Sequence, residues 1–143
     1  MEGPFLSLHL IPRQSFTATT NIDLQRAEDS SRLLSPIFTR NYDFRYNLDG
    51  YMYYSDSEDT NPTYNQIFRN GILEIVTNRS ISLHSHNVDN IRGSEIILEL
   101  IQAIPRFIEF YKNIGINTDI YGFLSFYNIK SHKLHTGEGI SPE

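Results

Sequence analysis

The segment Thr63-Tyr64-Asn65-Gln66-Ile67-Phe68-Arg69-Asn70-Gly71-Ile72-Leu73-Glu74-Ile75-Val76-Thr77 places an Asn-Gly pair between two runs of β-prone residues. Asn tolerates, and Gly freely adopts, the positive φ that both central positions of a type I′ turn require, so the pair predicts a tight hairpin. With a two-residue turn, Phe68 would pair with Leu73, and Gln66 with Ile75. The face that we expect to line the core then carries Tyr64, Phe68, Leu73 and Ile75.

Period-two alternation of apolar and polar side chains predicts further strands on both sides of this hairpin. Residues 5–12 form one such run, and residues 42–54 carry the longest alternation in the chain. Gly50 interrupts the second run, which indicates a bulge or a close approach of another backbone segment, and allows a break into two strands. Residues 81–86 are a further candidate strand. Residues 119–130 predict a last strand that is apolar on both faces, so we expect it to be central or covered on both sides.

A long amphipathic helix is predicted between Ser94 and Asn113, where apolar residues recur at helical spacings. Ser94 is placed to cap its start, and Gly115 to adopt the left-handed conformation that ends a helix. Pro105 removes one backbone hydrogen bond inside it and predicts a kink. The stripe is broad enough that we expect burial by the sheet and consider burial by a second subunit. Its members are Ile97, Leu100, Ile101, Ile104, Ile108 and Tyr111, widened by Ile96, Ala103, Phe107 and Phe110.

These elements predict a single α+β domain over residues 1–135. We expect an antiparallel sheet of about five strands with one long kinked helix, about residues 94–113, packed on one face. A short helix is also expected within residues 21–34. The tail, residues 136–143, is predicted to be disordered. The length of 143 residues lies in the usual range of one domain.

Composition and charge narrow the functional classes. The net charge of −5 argues against a general binder of the phosphate backbone, although it is compatible with a local basic patch. The chain has no cysteine, which excludes disulfides, thiolate nucleophiles and Cys-ligated zinc. We see no apolar run of membrane-spanning length and no signal peptide, so we expect a soluble cytoplasmic protein without a membrane partner. Gly-rich phosphate loops and dinucleotide motifs are absent, and we predict no cofactor.

One cluster has the residue types of a metal site. His84 and His86 are two positions apart and would face the same way on a strand, with Asp89 as a hard third ligand. Such a site would fit a metal-dependent hydrolase. The alternative is a strand end and polar loop in which the histidines bind nothing.

A second candidate surface is rich in tyrosine and arginine. Tyr51 and Tyr53 could stack on bases, with Arg45 and Arg69 supplying positive charge, as in modules that bind single-stranded nucleic acid. The alternative is that the tyrosine rings pack within the sheet with their hydroxyls in water. An exposed tyrosine-rich face would serve protein association equally well. No catalytic constellation is evident, and we assign no catalytic residue.

Three segments together resemble a known family. They are His9-Leu10-Ile11-Pro12 with Phe16, Arg45-Tyr46-Asn47-Leu48-Asp49-Gly50, and the segment Tyr64–Glu74. In this order and spacing they resemble the C-terminal region of bacterial AlbA/Schlafen-like DNA-binding proteins, often described as ATP-binding proteins or transcriptional regulators. The resemblance covers most of the chain.

The resemblance implies an accessory role. In such proteins the nucleic-acid-binding residues belong to an N-terminal domain outside the matching region, so no binding residue carries over. The implied function is a non-catalytic regulatory domain of a prokaryotic DNA-binding system, acting in dimerisation, partner docking or ligand sensing. We therefore expect a protein partner or self-association, with nucleic acid contacted through a separate domain. The Asn47-x-Asp49-Gly50 element is interpreted as fold-determining.

Overall fold

A computed structural model describes residues 3–17, 19–55, 63–79, 90–130 and 132–135. The elements in chain order are β1 (Phe5–Pro12), α1 (Leu24–Asp29), β2 (Asp43–Asn47), β3 (Gly50–Tyr54), β4 (Thr63–Phe68), β5 (Leu73–Thr77), β6 (Asn90–Arg92), α2 (Gly93–Asn113), β7 (Ile120–Tyr127) and β8 (Lys133–His135). Short 3-10 helices, Arg13–Phe16 and Ser31–Leu34, follow β1 and α1.

The predicted α+β fold is confirmed. Six strands form one antiparallel sheet in the order β2-β3-β4-β5-β1-β7, and β6 pairs with β8 in a small parallel sheet. The large sheet has six strands instead of about five because residues 42–54 fold back on themselves as β2 and β3. The predicted strand at residues 81–86 and the predicted disordered tail at residues 136–143 lie outside the described residues.

The turn between β2 and β3 is built by one side chain. Asn47 Oδ1 accepts hydrogen bonds from the backbone N–H groups of Asp49, at 3.1 Å, and Gly50, at 2.8 Å. Gly50 has a φ of +155° and lies so close to β4 that a Cβ there would stand 2.0 Å from the carbonyl oxygen of Ile67. The break predicted at Gly50 is therefore a reversal of the chain, and the Asn-x-Asp-Gly element has a local structural explanation.

The hairpin at Asn70-Gly71 exists, but its predicted register was wrong by one residue. The Phe68 N–H donates to the Ile72 carbonyl and the Gly71 N–H to the Phe68 carbonyl, with Gly71 at a φ of +89°. These contacts define a three-residue loop with a left-handed last residue, the next most common hairpin after the two-residue type. A shift of one residue exchanges the faces of a strand, so Ile67 joins the core and Tyr64 points to the other face.

The core lies between α2 and one face of the sheet. At its centre, the Tyr111 hydroxyl lies 3.0 Å from the carbonyl oxygens of both Leu10 and Gly71, and so ties α2 to β1 and to the hairpin loop. Burial raises the pKa of Tyr111 far above its usual range. The main buried apolar side chains are Leu8, Leu10, Ile67, Leu73, Ile75, Ala103, Phe107 and Phe110.

The two ends of α2 differ in how well the sequence predicted them. Its C-terminus is confirmed, since Ile116 N–H donates to the Tyr111 carbonyl and Gly115 N–H to the Lys112 carbonyl, which together form a Schellman motif. At the N-terminus the cap position is Arg92, without a side-chain cap, so the prediction of Ser94 as the cap was wrong. The short helix expected within residues 21–34 is α1, capped by the Asp23 carboxylate.

The last strand is not central. β7 pairs only with β1 among the described strands and forms one edge of the sheet. Leu124 on the helix side is 42% exposed, and Phe123 on the other side is 54% exposed. The expectation that β7 is covered on both sides was therefore wrong, because its apolar residues face outward at an edge.

Candidate functional site

One flank of α2 is apolar and uncovered. Ile97 and Ile101 are 57% and 65% exposed, and Ile104 and Leu98 are also exposed. The spacing of four and three between Ile97, Ile101 and Ile104 places these side chains in one row along the helix. This spacing is the one by which helices pack against other helices. The row thus has the pattern of a buried surface.

The opposite flank of α2 is polar. Glu99, Gln102 and Arg106 line a groove against residues 35–41, which follow the second 3-10 helix. Because an α-helix turns about 100° per residue, Glu99 and Arg106 lie on the far side of the axis from Ile97 and Ile104. The apolar flank therefore faces away from residues 35–41.

The edge strand β7 lies near this apolar flank. In the first half of α2, Ile96 and Leu100 belong to a cluster that includes Leu6 of β1 and Phe126 of β7. The eight residues of β7 leave one side of their backbone without a strand partner among the described residues. We call the combined surface the apolar edge. It comprises Ile97, Leu98, Ile101 and Ile104 of α2 and Tyr121, Phe123, Leu124 and Tyr127 of β7.

Natural proteins usually protect such a strand. Edge strands are commonly short, charged, bulged or interrupted by proline, because their free N–H and C=O groups can pair with another chain. The segment Ile120–Tyr127 has no charged residue and no proline. Phe5 stacks on Tyr127, with ring centroids 4.5 Å apart, which widens the aromatic surface without covering the edge. The apolar edge is thus suited to strand pairing and helix packing.

The residues predicted to bind nucleic acid do not form one surface. Tyr51 and Tyr53 are 1% and 3% exposed, and pack with Phe44 and Tyr46 on the helix side of the sheet. Their burial does not support base stacking by these rings. Arg45 lies over the Tyr54 ring at 5.1 Å. Arg69, at the hairpin loop, donates from Nε to the Leu48 carbonyl, which makes it part of the contact between two turns.

The predicted metal ligands His84, His86 and Asp89 lie outside the described residues. Within the ranges that are described, no group of three or more His, Asp or Glu side chains is placed to hold a metal ion. None of the described helices is both long and apolar enough to cross a membrane.

A hydrogen-bonded chain on the other face of the sheet was missed by the sequence analysis. His9 Nε2 lies 2.8 Å from the Glu74 carboxylate, which also accepts from the Tyr64 hydroxyl, and His9 Nδ1 lies 3.1 Å from Ser7 Oγ. Burial, followed by the bond to Glu74, raises the pKa of Tyr64 above its usual range. The Ser7 side chain is buried and both imidazole nitrogens are occupied, so these groups stabilise strand pairing and present no accessible nucleophile.

This chain of contacts has no sequence signature because it depends on strand register. His9 pairs with Glu74 across β1 and β5, and their positions differ by 65 residues. For the apolar edge, in contrast, the sequence contains an indication, because the apolar stripe of the predicted helix is broader than one packed face requires.

Comparisons with protein-family models, curated proteins and solved structures find no match to this chain.

Proposed function

We propose that this chain is a non-catalytic association domain that pairs two copies of itself through the apolar edge. The observation that carries the proposal is the uncharged edge strand β7, whose outer side has no partner among the described strands, near the exposed apolar flank of α2. Pairing of β7 with its symmetry mate would supply hydrogen-bond partners for the free backbone edge. It would also bring apolar side chains of both copies together on each face of the sheet.

A second copy fits this surface for geometric reasons. All neighbouring strands of the large sheet are antiparallel, so an antiparallel β7–β7 pair continues the same hydrogen-bonding pattern across a two-fold axis. A two-fold axis requires one self-complementary patch, which an edge strand supplies. The same axis would bring the α2 helices of the two copies towards each other as antiparallel neighbours.

The extent of the surface also supports a stable interface. If a large side chain offers roughly 150–250 Å² and about half is exposed, the apolar edge presents on the order of 700 Å². A typical stable interface takes about 800 Å² from each partner. Tyr121, Phe123 and Tyr127 lie on the face of the sheet opposite α2, so this area is divided between two faces, and edge-to-edge pairing of β7 would use both.

The sequence resemblance supports the same role. In a Schlafen/AlbA-like DNA-binding system, an association domain of this kind would set how many DNA-binding domains act together. We propose a cytoplasmic location, which fits a sequence without cysteine.

Sedimentation equilibrium from low micromolar to near-millimolar concentration tests the proposal. We expect a monomer–dimer equilibrium for the wild type. Ile101→Asp and Phe123→Lys should each weaken dimerisation by at least about tenfold, because each places a charge in the buried interface. Leu48→Asp is the matched control: Leu48 is 93% exposed and lies in the β2–β3 turn, so this variant should dimerise like the wild type.

Circular dichroism of each variant checks that its fold is retained. A wild type that stays monomeric at every concentration would overturn the proposal. The proposal would also be overturned if Ile101→Asp and Phe123→Lys dimerised as tightly as Leu48→Asp.

A further inference from the structure

The polar flank of α2 lines a groove with a concentration of positive charge. The cavity measures about 770 Å³, and its lining includes Arg40, Arg79 and Arg106. Among the lining residues that the structure describes, three are arginines and one, Glu99, carries a carboxylate. The whole chain carries a net charge of −5, so this concentration is local. Small-molecule sites occupy about 300–1,000 Å³, a range that includes this groove.

Arg106 is positioned without a carboxylate partner among the residues that the structure describes. Its guanidinium donates from Nη1 to the hydroxyl and carbonyl oxygens of Ser35, which fixes its direction. It forms no ion pair with any described carboxylate. Burial lowers the pKa of Arg106, and Glu99, two helical turns away, opposes this only in part. Half-buried cations are normally paired with an anion, so the surroundings of Arg106 are those of an anion-binding group.

The remaining walls are also suited to a polar ligand. Arg40 is exposed and makes no hydrogen bond or ion pair within the described part of the chain. Phe38 adopts a φ of +59°, which is rare for a bulky residue, and its carbonyl oxygen lies 3.5 Å from Arg79 Nη1. Strained backbone of this kind concentrates at ligand-binding sites. Asn41 and Gln102 add amide donors to the lining.

We propose that this groove binds a small molecule that carries a phosphate group, of about the size of a nucleotide. Guanidinium groups bind phosphate oxygens in pairs of parallel hydrogen bonds, and Arg40 and Arg106 provide two guanidinium groups in the groove. The proposal does not depend on dimerisation, because the groove and the apolar edge lie on opposite flanks of α2.

Isothermal titration calorimetry with ATP, AMP and inorganic pyrophosphate tests this site, with adenosine as the uncharged control and succinate as the carboxylate control. We expect binding of the phosphate compounds, weakened by salt, and no binding of adenosine. Arg40→Gln and Arg106→Gln should each lower the affinity by at least about fivefold, because each removes a charged donor. Because Arg40 is exposed, its variant keeps the test valid if Arg106→Gln fails to fold.

Two further variants sharpen the result. Arg32→Gln removes one positive charge from an exposed position outside the lining and should change the affinity by less than about twofold. Glu99→Gln removes the opposing carboxylate and should raise the affinity by about two- to fivefold. A gain from Glu99→Gln and a loss from Arg40→Gln cannot both arise from damage to the fold.

Several outcomes would overturn the proposal. One is the absence of binding at millimolar ATP and pyrophosphate. Another is an equal effect of Arg32→Gln and Arg40→Gln, which would indicate attraction by overall charge. Tighter binding of succinate than of pyrophosphate would assign the groove to carboxylates. Much tighter binding of a single-stranded oligonucleotide, lost in Arg40→Gln, would assign it to nucleic acid.

Discussion

Replacing Gly50 by alanine should strongly destabilise the protein. The new Cβ would stand 2.0 Å from the Ile67 carbonyl oxygen, 3.1 Å from the Ile67 carbonyl carbon and 3.2 Å from Gln66 Nε2. The first contact is too short by about 1 Å, and it involves the backbone of β4, which no side-chain rotation can move. The φ of +155° adds strain, because residues with a Cβ rarely adopt it.

The size of the effect follows from what must move. Separating β3 from β4 by about 1 Å weakens at least one or two backbone hydrogen bonds, worth about 1 kcal/mol each. The unfavourable backbone conformation costs a further 1–3 kcal/mol, approximately. We therefore expect a loss of about 2–5 kcal/mol in the free energy of unfolding. Domains are stable by only about 5–15 kcal/mol, so the melting temperature should fall by roughly 10 °C or more.

Gly122→Ala is the matched control. A Cβ at Gly122 would meet Leu10 Cδ2 at 3.6 Å, an ordinary contact, so the free energy of unfolding should change by less than about 1 kcal/mol. Urea unfolding followed by circular dichroism, at one protein concentration for all variants, gives both values. If Gly50→Ala unfolds within about 0.5 kcal/mol of Gly122→Ala, the close approach of β3 to β4 at this point is refuted.

Two further predictions concern the buried hydroxyl of Tyr111. Tyr111→Phe should lower the free energy of unfolding by about 1–2 kcal/mol, since the one hydroxyl proton, shared between the Leu10 and Gly71 carbonyl oxygens, is lost. Tyr42→Phe, at an exposed ring outside the apolar edge, should cost less than about 0.5 kcal/mol in urea unfolding. Stability should also fall as the pH rises above about 10, because the unfolded chain then releases the Tyr111 proton while the folded chain retains it. Tyr111 should contribute about 1.4 kcal/mol per pH unit to the slope of the free energy of unfolding against pH. Urea unfolding at several pH values above about 10 should show a smaller slope for Tyr111→Phe than for the wild type, and equal slopes would contradict the assignment.

Several features of the fold were predictable because they depend on nearby residues. The helix end at Gly115 follows from a left-handed glycine after an amphipathic run, and the short helix α1 follows from the Asp23 cap. The break at Gly50 follows from a glycine within an alternating run. In contrast, the hairpin register depended on whether the loop has two or three residues, and Asn70-Gly71 is compatible with both.

The candidate sites were less predictable. The broad helical stripe indicated a second covered side of α2, but which residues stay exposed depends on the rotation of the helix on the sheet. The arginines of the groove come from three separate segments, around positions 40, 79 and 106, and share no motif. Tyr51 and Tyr53 belong to an alternating run that gives no sign of which face is buried.

The sequence alone determined the main strands and helices to within a few residues, and the places where the chain breaks at Gly50 and Gly71, because hydrogen bonds over a few residues and backbone sterics set these. Only the tertiary structure decided that β7 is an edge strand, that His9 meets Glu74, and that three arginines converge. Strand order and the packing of distant segments depend on the summed burial of the whole chain. The periodicity of one segment does not indicate which other segments lie next to it in the folded protein.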